Sequence, residues 1–408
     1  MRTRFTSSRV LTILALSLTA VFLMSASGEA GPKKGLDPDA GQELRDQGVD
    51  KYLDQFEPAI STDVGDGWTK HTFDIDGGSG PICIAGTPFS VFTRAGKKDK
   101  LLIFTQGGGA CWQDFYNCNV LAEAQEAPPP IDPETGRASG IWDFDNPDNI
   151  FADYSIVYMP YCDGSTFVGD NDVFDPAFGA AIGFPTAVVR FHRGLRNLSA
   201  GMDLAAATFP RASKITVAGS SAGGVGATAF APFLARFKYG NNKELTVFND
   251  AGPVTTNLDA VDDIAARAAD WQFGQFYPPS CTACDDMGQS TEIIGWRLDN
   301  DSTIREAFYE TDSDFTNRFF LDLLGDQPGF RDLIVTEHGF LNEDHPDRYK
   351  RFIVAGDGSH TALQLPLFYS QDANGVLLNE WTRDFVQQED GDSQGGDVWD
   401  DIVEDAVP

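Results

Sequence analysis

Five small residues in a row, Gly219-Ser220-Ser221-Ala222-Gly223, carry a hydroxyl at their centre and end a β-branched run, "KITVAGS". They fit G-x-S-x-G. In such an elbow a strand turns abruptly into a helix and holds the serine at its apex in a strained conformation, so bulky neighbours would collide. The Ser221 Oγ is then displayed to a substrate carbonyl. The N–H of Ala222 opens the helix on the same side and can donate to a developing oxyanion. The competing reading is a Gly-rich turn of a nucleotide-binding fold, but the stretch lacks both G-x-G-x-x-G and a P-loop lysine.

A second cluster supports the first. "LLIFTQGGGACW" (101–112) ends a buried-looking strand in three glycines. The loop after an earlier strand supplies the other oxyanion N–H in elbow enzymes, and Gly108 and Gly109 are the candidate donors. A serine hydroxyl also needs a base. Of the five histidines, His71 lies on an expected strand before the elbow and His192 in an expected helix, while His338 and His345 lie in a polar segment read as surface. His360, in "DGSHTAL", follows the last apolar strand "RFIVAG" (351–356) and alone fits the chain order serine, acid, histidine. The acid should follow a strand between Ser221 and His360. "WRLDNDSTIREAF" (296–308) places Asp301 and Asp299 at the end of an expected strand, with Asp301 favoured. Asp250, in "FNDAGP", is a third candidate and reads more as a turn brace. The chosen carboxylate would fix the imidazole tautomer and stabilise the imidazolium.

These residues need a frame. Strands are expected at 70–75, 89–94, 100–106, 154–160, 214–220, 245–250, 292–298 and 351–356, with helices over 187–209, where a break is expected inside, and 223–240. Strands alternating with helices imply an α/β fold with a mostly parallel sheet covered on both faces. Residues 121–150 and 255–290 read as loop or cap excursions. "GDNDVFD" (169–175) and the acidic end resemble pieces of calcium sites, but 169–175 lacks the sixth-position Gly and twelfth-position Glu of a calcium loop.

The 408 residues carry 30 Lys and Arg against 61 Asp and Glu, a net charge of −31 that would repel nucleic acid. Arg2, Arg4 and Arg9 precede an apolar run at 10–24 and the small residues "SASGEAG", the pattern of a cleaved export signal over 1–30. That run is short for a membrane span, so no stable anchor is expected. A lead-in follows over 31–67, then one domain over 68–386 and an acidic disordered tail over 387–408. Export favours disulfides. Cys111 and Cys118 close a short loop, Cys281 and Cys284 form "CTAC", and Cys83 and Cys162 are left for each other.

"GGGACWQDFYNC", "YMPYCDGSTFVGD" (158–170) and "GSSAGG" together resemble the pectin acetylesterase and Notum family of carboxylester hydrolases. The resemblance covers roughly residues 68–370. It implies an α/β-hydrolase fold, no metal or other cofactor, and a Ser-Asp-His triad, with Ser221 as nucleophile, His360 as base, and Gly108, Gly109 and Ala222 as oxyanion donors. It also supports the Cys83–Cys162 and Cys111–Cys118 pairs. The chain departs from the family where Gln106, not an acid, precedes the glycines, and where Ala110 precedes Cys111 with Trp112 behind it. Those positions line the family's pocket entrance and bear on acyl or sugar preference.

The expectation is a monomeric, exported (periplasmic or extracellular) serine esterase removing short acyl groups, acetyl above all, from a polysaccharide. Alternatives are a lipid or long-acyl deacylase of the same fold, a non-catalytic glycan-binding relative and a calcium-dependent module.

Overall fold

The computed structural model describes residues 35–75, 78–120, 138–387 and 399–407. The export signal expected over 1–30, "APPP" (127–130) and the acidic stretch 388–398 lie outside the described residues.

Ten strands of the described residues form the central sheet. They are β1 (Pro58–Gly65), β2 (Trp68–Phe73), β3 (Ser90–Arg94), β4 (Lys97–Thr105), β5 (Tyr154–Met159), β6 (Lys214–Ser220), β7 (Glu244–Asp250), β8 (Arg305–Thr311), β9 (Tyr349–Val354) and β10 (Ile402–Val403). Their order across the sheet is β1-β2-β3-β5-β4-β6-β7-β8-β9-β10. The first three pairings are antiparallel and every later one is parallel. The helices among the described residues include α1 (Pro38–Asp46), α2 (Gly194–Thr208), α3 (Ala222–Thr228), α4 (Ala231–Tyr239), α5 (Val261–Trp271), α6 (Glu292–Asn300), α7 (Phe315–Phe320), α8 (Gln327–Asp344) and α9 (Leu378–Gln387).

Side chains alternate across a strand, and both faces of this sheet are covered. Leu101 and Ile103 of β4 enter one core cluster with Val157, Ile215 and Val247. Leu102 and Phe104 enter the other with Ile156, Ala218 and Phe248. All four β4 residues are fully buried, each contributing ~1.5–3 kcal/mol by leaving water. That double burial makes "LLIF" a continuous apolar run.

Most expected strands stand, but one does not. "EIIGWRL" (292–298) is helix α6, with Ile293, Ile294, Arg297 and Leu298 buried. Those positions recur at the helical period, which a short apolar run cannot distinguish from a strand. The strand in this region is β8, "REAFYET", buried along its whole length. The helix expected over 187–209 begins only at Gly194, after the short strand Val189–His192, and that over 223–240 divides into α3 and α4.

Within the disordered tail expected over 387–408, the described residues 399–407 dock on the fold instead. Trp399 is buried on Trp381 and Phe385, and β10 adds to the edge of β9. Asp401 pairs with Arg351 at 2.7 Å. The described end is acidic, yet its indole and two aliphatic residues supply enough apolar surface to dock. No helix among the described residues is long and apolar enough to cross a membrane.

Candidate active site

Strand β6 stops at Ser220 and helix α3 starts at Ala222. Ser221 joins them at φ 55° and ψ −124°, a backbone region that costs a non-glycine residue about 1–3 kcal/mol. The small neighbours are required by contact. A Cβ at Gly219 would lie 2.2 Å from the Gly223 carbonyl oxygen, and one at Gly223 would lie 2.0 Å from that of Thr105. The Thr105 hydroxyl instead donates to the Gly223 carbonyl at 2.7 Å, fastening the helix start to β4.

Three neighbouring strand ends then converge on the serine. The Ser221 amide donates to the Asp250 carbonyl at the end of β7, at 2.7 Å. The Asp250 carboxylate accepts the Ser220 hydroxyl and the amides of Ala362 and Leu363, at 2.9 and 3.1 Å. Asp250 therefore braces the His360 loop against the strand that presents Ser221, as its turn position suggested. Burial pushes its pKa up to about 6. Thr311, at the end of β8, donates to the Ser359 carbonyl at 2.6 Å and fixes the same loop from the other side.

The His360 Nδ1 lies 2.6 Å from Asp314 Oδ2. Its Nε2 is shut off from solvent and has no partner. The carboxylate on His360 is thus neither of the two expected. Asp301 is buried 65 residues from its partner Arg236 in sequence and makes a bidentate ion pair with it at 2.6 and 3.0 Å. Asp299 is exposed, 3.4 Å from His345. Asp299 lies in the last turn of α6 and Asp301 directly after it, one element too early. Asp314 follows β8 and caps α7, accepting the Asn317 amide at 3.0 Å.

Asp314 has a carboxyl neighbour. The Asn317 side-chain amide donates to Asp314 Oδ2 at 2.9 Å, to Glu310 Oε2 at 2.7 Å and to the Ala251 carbonyl at 2.9 Å. Glu310 is fully buried, and its other oxygen accepts the Thr311 amide at 2.9 Å. Burial first, then the charge of Asp314, holds Glu310 well above the ordinary carboxylate range. Both effects disfavour the charged form of Glu310.

Gly107 and Gly108 lie opposite the elbow. A Cβ at Gly107 would lie 2.8 Å from that of Ser221, and one at Gly108 would collide with Tyr161. Gly109, at φ 78°, opens the short hairpin Gly109–Trp112 with Phe115–Cys118, which the Cys111–Cys118 disulfide closes. The other two disulfides are Cys83–Cys162 and Cys281–Cys284. Ser221, Ala222 and Gly109 line a pocket of ≈ 1030 Å³, counting its open mouth. Its walls are chiefly apolar, with Trp112, Phe230, Trp271, Ile293 and Phe320 among them.

The remaining histidines serve the fold. His71 bonds Ser61 and Thr93. His192 is buried beside Arg190. His338, expected at the surface, is fully buried, stacked on Phe308 and bonded to the Pro253 carbonyl and the Tyr349 hydroxyl. Burial pulls its pKa down to about 3. The carboxylates of "GDNDVFD" are taken by basic side chains: Asp170 by Arg196 and Lys51, Asp172 by Arg193, Asp175 by Arg190. No group of three or more His, Cys, Asp or Glu among the described residues could hold a metal ion.

A family model described as pectinacetylesterase matches residues 73–277. The matched span holds the three glycines and Ser221, and Asp314 and His360 lie beyond it. Among solved structures, the Wnt deacylase Notum from Drosophila is similar at 17% identity, with a TM-score of 0.54, over 76% of this chain and 90% of that one. That likeness is one of fold, a large mostly parallel sheet flanked by helices. No curated protein matches the chain.

Proposed function

Because the chain belongs to the pectinacetylesterase family and is a carboxylic ester hydrolase, we propose that Ser221, His360 and Asp314 form its catalytic triad. The observation that carries this reading is the imidazole of His360. Its Nδ1 is held by a buried carboxylate and its Nε2 is unpartnered, at the sheet end where Ser221 sits at a strained turn. Asp314 fixes the tautomer that leaves Nε2 free to accept a proton. Ser221 Oγ attacks the ester carbonyl as Nε2 takes its proton. The imidazolium then pairs with Asp314 and returns the proton to the departing alcohol. Water hydrolyses the acyl-enzyme by the same steps. The amides of Ala222 and Gly108 hold the oxyanion, with Gly109 shaping the turn. Both amides lack a backbone acceptor among the described residues, so they are available to the charge that develops on the carbonyl oxygen.

The substrate reading is a short acyl ester, acetyl above all, on an exported polysaccharide. The charged and apolar pattern of residues 2–24 and three disulfides support export. One observation favours a second reading, a longer acyl group: the pocket is larger than an acetyl group needs, and its walls are mostly apolar. Hydrolysis of p-nitrophenyl acetate, butyrate and octanoate by wild type and Ser221→Ala separates them. Activity that falls with chain length and vanishes in the variant supports the short-acyl ester, and a maximum at octanoate supports the long one. Activity equal in wild type and variant on all three refutes Ser221 as the nucleophile.

A further inference from the structure

The mostly apolar pocket beside Ser221 contains one guanidinium. Arg267, on α5, lines it together with Ser221, Trp112 and Phe320. Its Nε is closed off from solvent without a hydrogen-bond partner. No hydrogen bond or ion pair joins its side chain to any other described residue. The charge lies over the Trp112 ring, 5.7 Å from the centroid. Asp263, one turn earlier on α5, acts on it only through space. Asp286, the carboxylate on the pocket wall, interacts with its neighbour Asp285 instead. Burial pulls the Arg267 pKa below the ordinary arginine value, but a guanidinium stays charged at neutral pH.

An unpaired charge beside apolar walls is costly, and this chain has carboxylates to spare. With 61 acids against 30 bases, it pairs several buried guanidinia directly, whereas Arg267 is half-buried. Arg190 bonds Asp175 at 2.9 Å, Arg236 bonds Asp301 at 2.6 Å and Arg297 bonds Glu306 at 2.7 Å. Arg267 stands out from these in facing a cavity rather than a carboxylate.

We propose that Arg267 recognises a carboxylate carried by the ester substrate, so that the pocket selects esters bearing a negative charge on their acyl or alcohol part. The inference rests on the ester-hydrolase reading of this pocket. It also answers a problem set by composition. A net charge of −31 repels an anionic substrate in bulk. A guanidinium in a low-dielectric wall supplies attraction where the substrate must finally sit, and its planar fork suits a carboxylate.

Binding and turnover are measured separately. Ser221→Ala is titrated calorimetrically with two matched pairs of esters. Mono-4-nitrophenyl succinate and its methyl ester differ in charge on the acyl part. 4-Acetoxybenzoate and its methyl ester differ in charge on the alcohol part. In one pair the anion should bind at least about tenfold more tightly than its neutral partner, and the pair that shows this identifies the charged half. Adding Arg267→Met should lower that preference by roughly 10- to 100-fold, and Arg267→Lys should leave an intermediate value. Neutral esters preferred in both pairs overturn the proposal without any Arg267 variant having to fold. So does a preference unchanged by Arg267→Met, which would leave Arg267 as a support for Trp112. Turnover of the same esters by wild type tests the hydrolase reading on its own, so its failure is distinct from a failure of anion recognition.

Discussion

Replace Asp314 and Asp301 by Asn in separate proteins, and the two readings of the triad acid part company. Asp314 Oδ2 lies 2.6 Å from His360 Nδ1. An amide there can still accept that hydrogen bond but cannot offset the charge of an imidazolium. Loss of such a carboxylate lowers kcat by on the order of 10⁴, or about 5.5 kcal/mol of transition-state stabilisation. The fold should suffer little. Asn is as good an N-cap as Asp, and removing the Asp314 charge relieves the buried Glu310 beside it. Asp301 is the reverse case. It and Arg236 are both buried and share two hydrogen bonds of 2.6 and 3.0 Å. Breaking that pair strands a guanidinium and costs about 3–5 kcal/mol of stability. The assay is initial rate on p-nitrophenyl acetate per titrated active site, beside urea unfolding. Asp314→Asn should unfold near the wild-type midpoint and be almost inactive. Asp301→Asn should unfold early, with its folded fraction as active as wild type. A folded Asp301→Asn protein that loses activity, next to an active Asp314→Asn, would refute the assignment.

Two further outcomes concern the buried carboxyls. Asp250 has a folded-state pKa of about 6 against 3.8 for the free group, a gap of about 3 kcal/mol. Because the folded pKa is raised, the stability it lends is complete below pH 3.8 and is lost as pH rises through about 6. The stability of wild type minus that of Asp250→Asn should therefore fall by about 3 kcal/mol between pH 4 and pH 7, and a flat or rising difference in urea unfolding counts against it. Glu310 is held neutral by burial and by Asp314, so Glu310→Gln should keep most of the wild-type kcat at pH 7. A loss as deep as that of Asp314→Asn would mean that Glu310 acts as a carboxylate.

The turn at Ser221 and the loop that carries His360 were legible because their settings are simple. A displayed hydroxyl demands small neighbours, and Gly219 and Gly223 are small for contacts near 2 Å. His360 follows an apolar strand that declares itself. The family resemblance drew on the same glycines and cysteines. The carboxylate that bonds His360 was missed through its strand. "REAFYET" carries Arg305, Glu306 and Glu310, yet all three are buried. Their charges are met inside the fold, Glu306 by Arg297 and Arg305 by Glu244, or suppressed, as at Glu310. No local pattern marks a charged strand as buried, whereas "EIIGWRL" looks like one and is a helix. Reading the wrong element as the strand pointed to Asp301 rather than to Asp314, the carboxylate on His360. Nor did sequence show that Trp399 would dock, since an acidic stretch hides one indole.

That docking ties the site to the far end of the chain. Strand β9 leads directly into the His360 loop, and among the described residues β10 is the strand paired to its outer edge. Glu404 accepts the Ala355 amide at 2.9 Å, just where β9 gives way to that loop. A polypeptide cut before Trp399 would lose these contacts together. It would bare Trp381 and an unpaired parallel edge, the kind of surface that recruits other chains. Loss of this short end would then act as inactivation followed by precipitation, with Ser221, His360 and Asp314 all chemically intact.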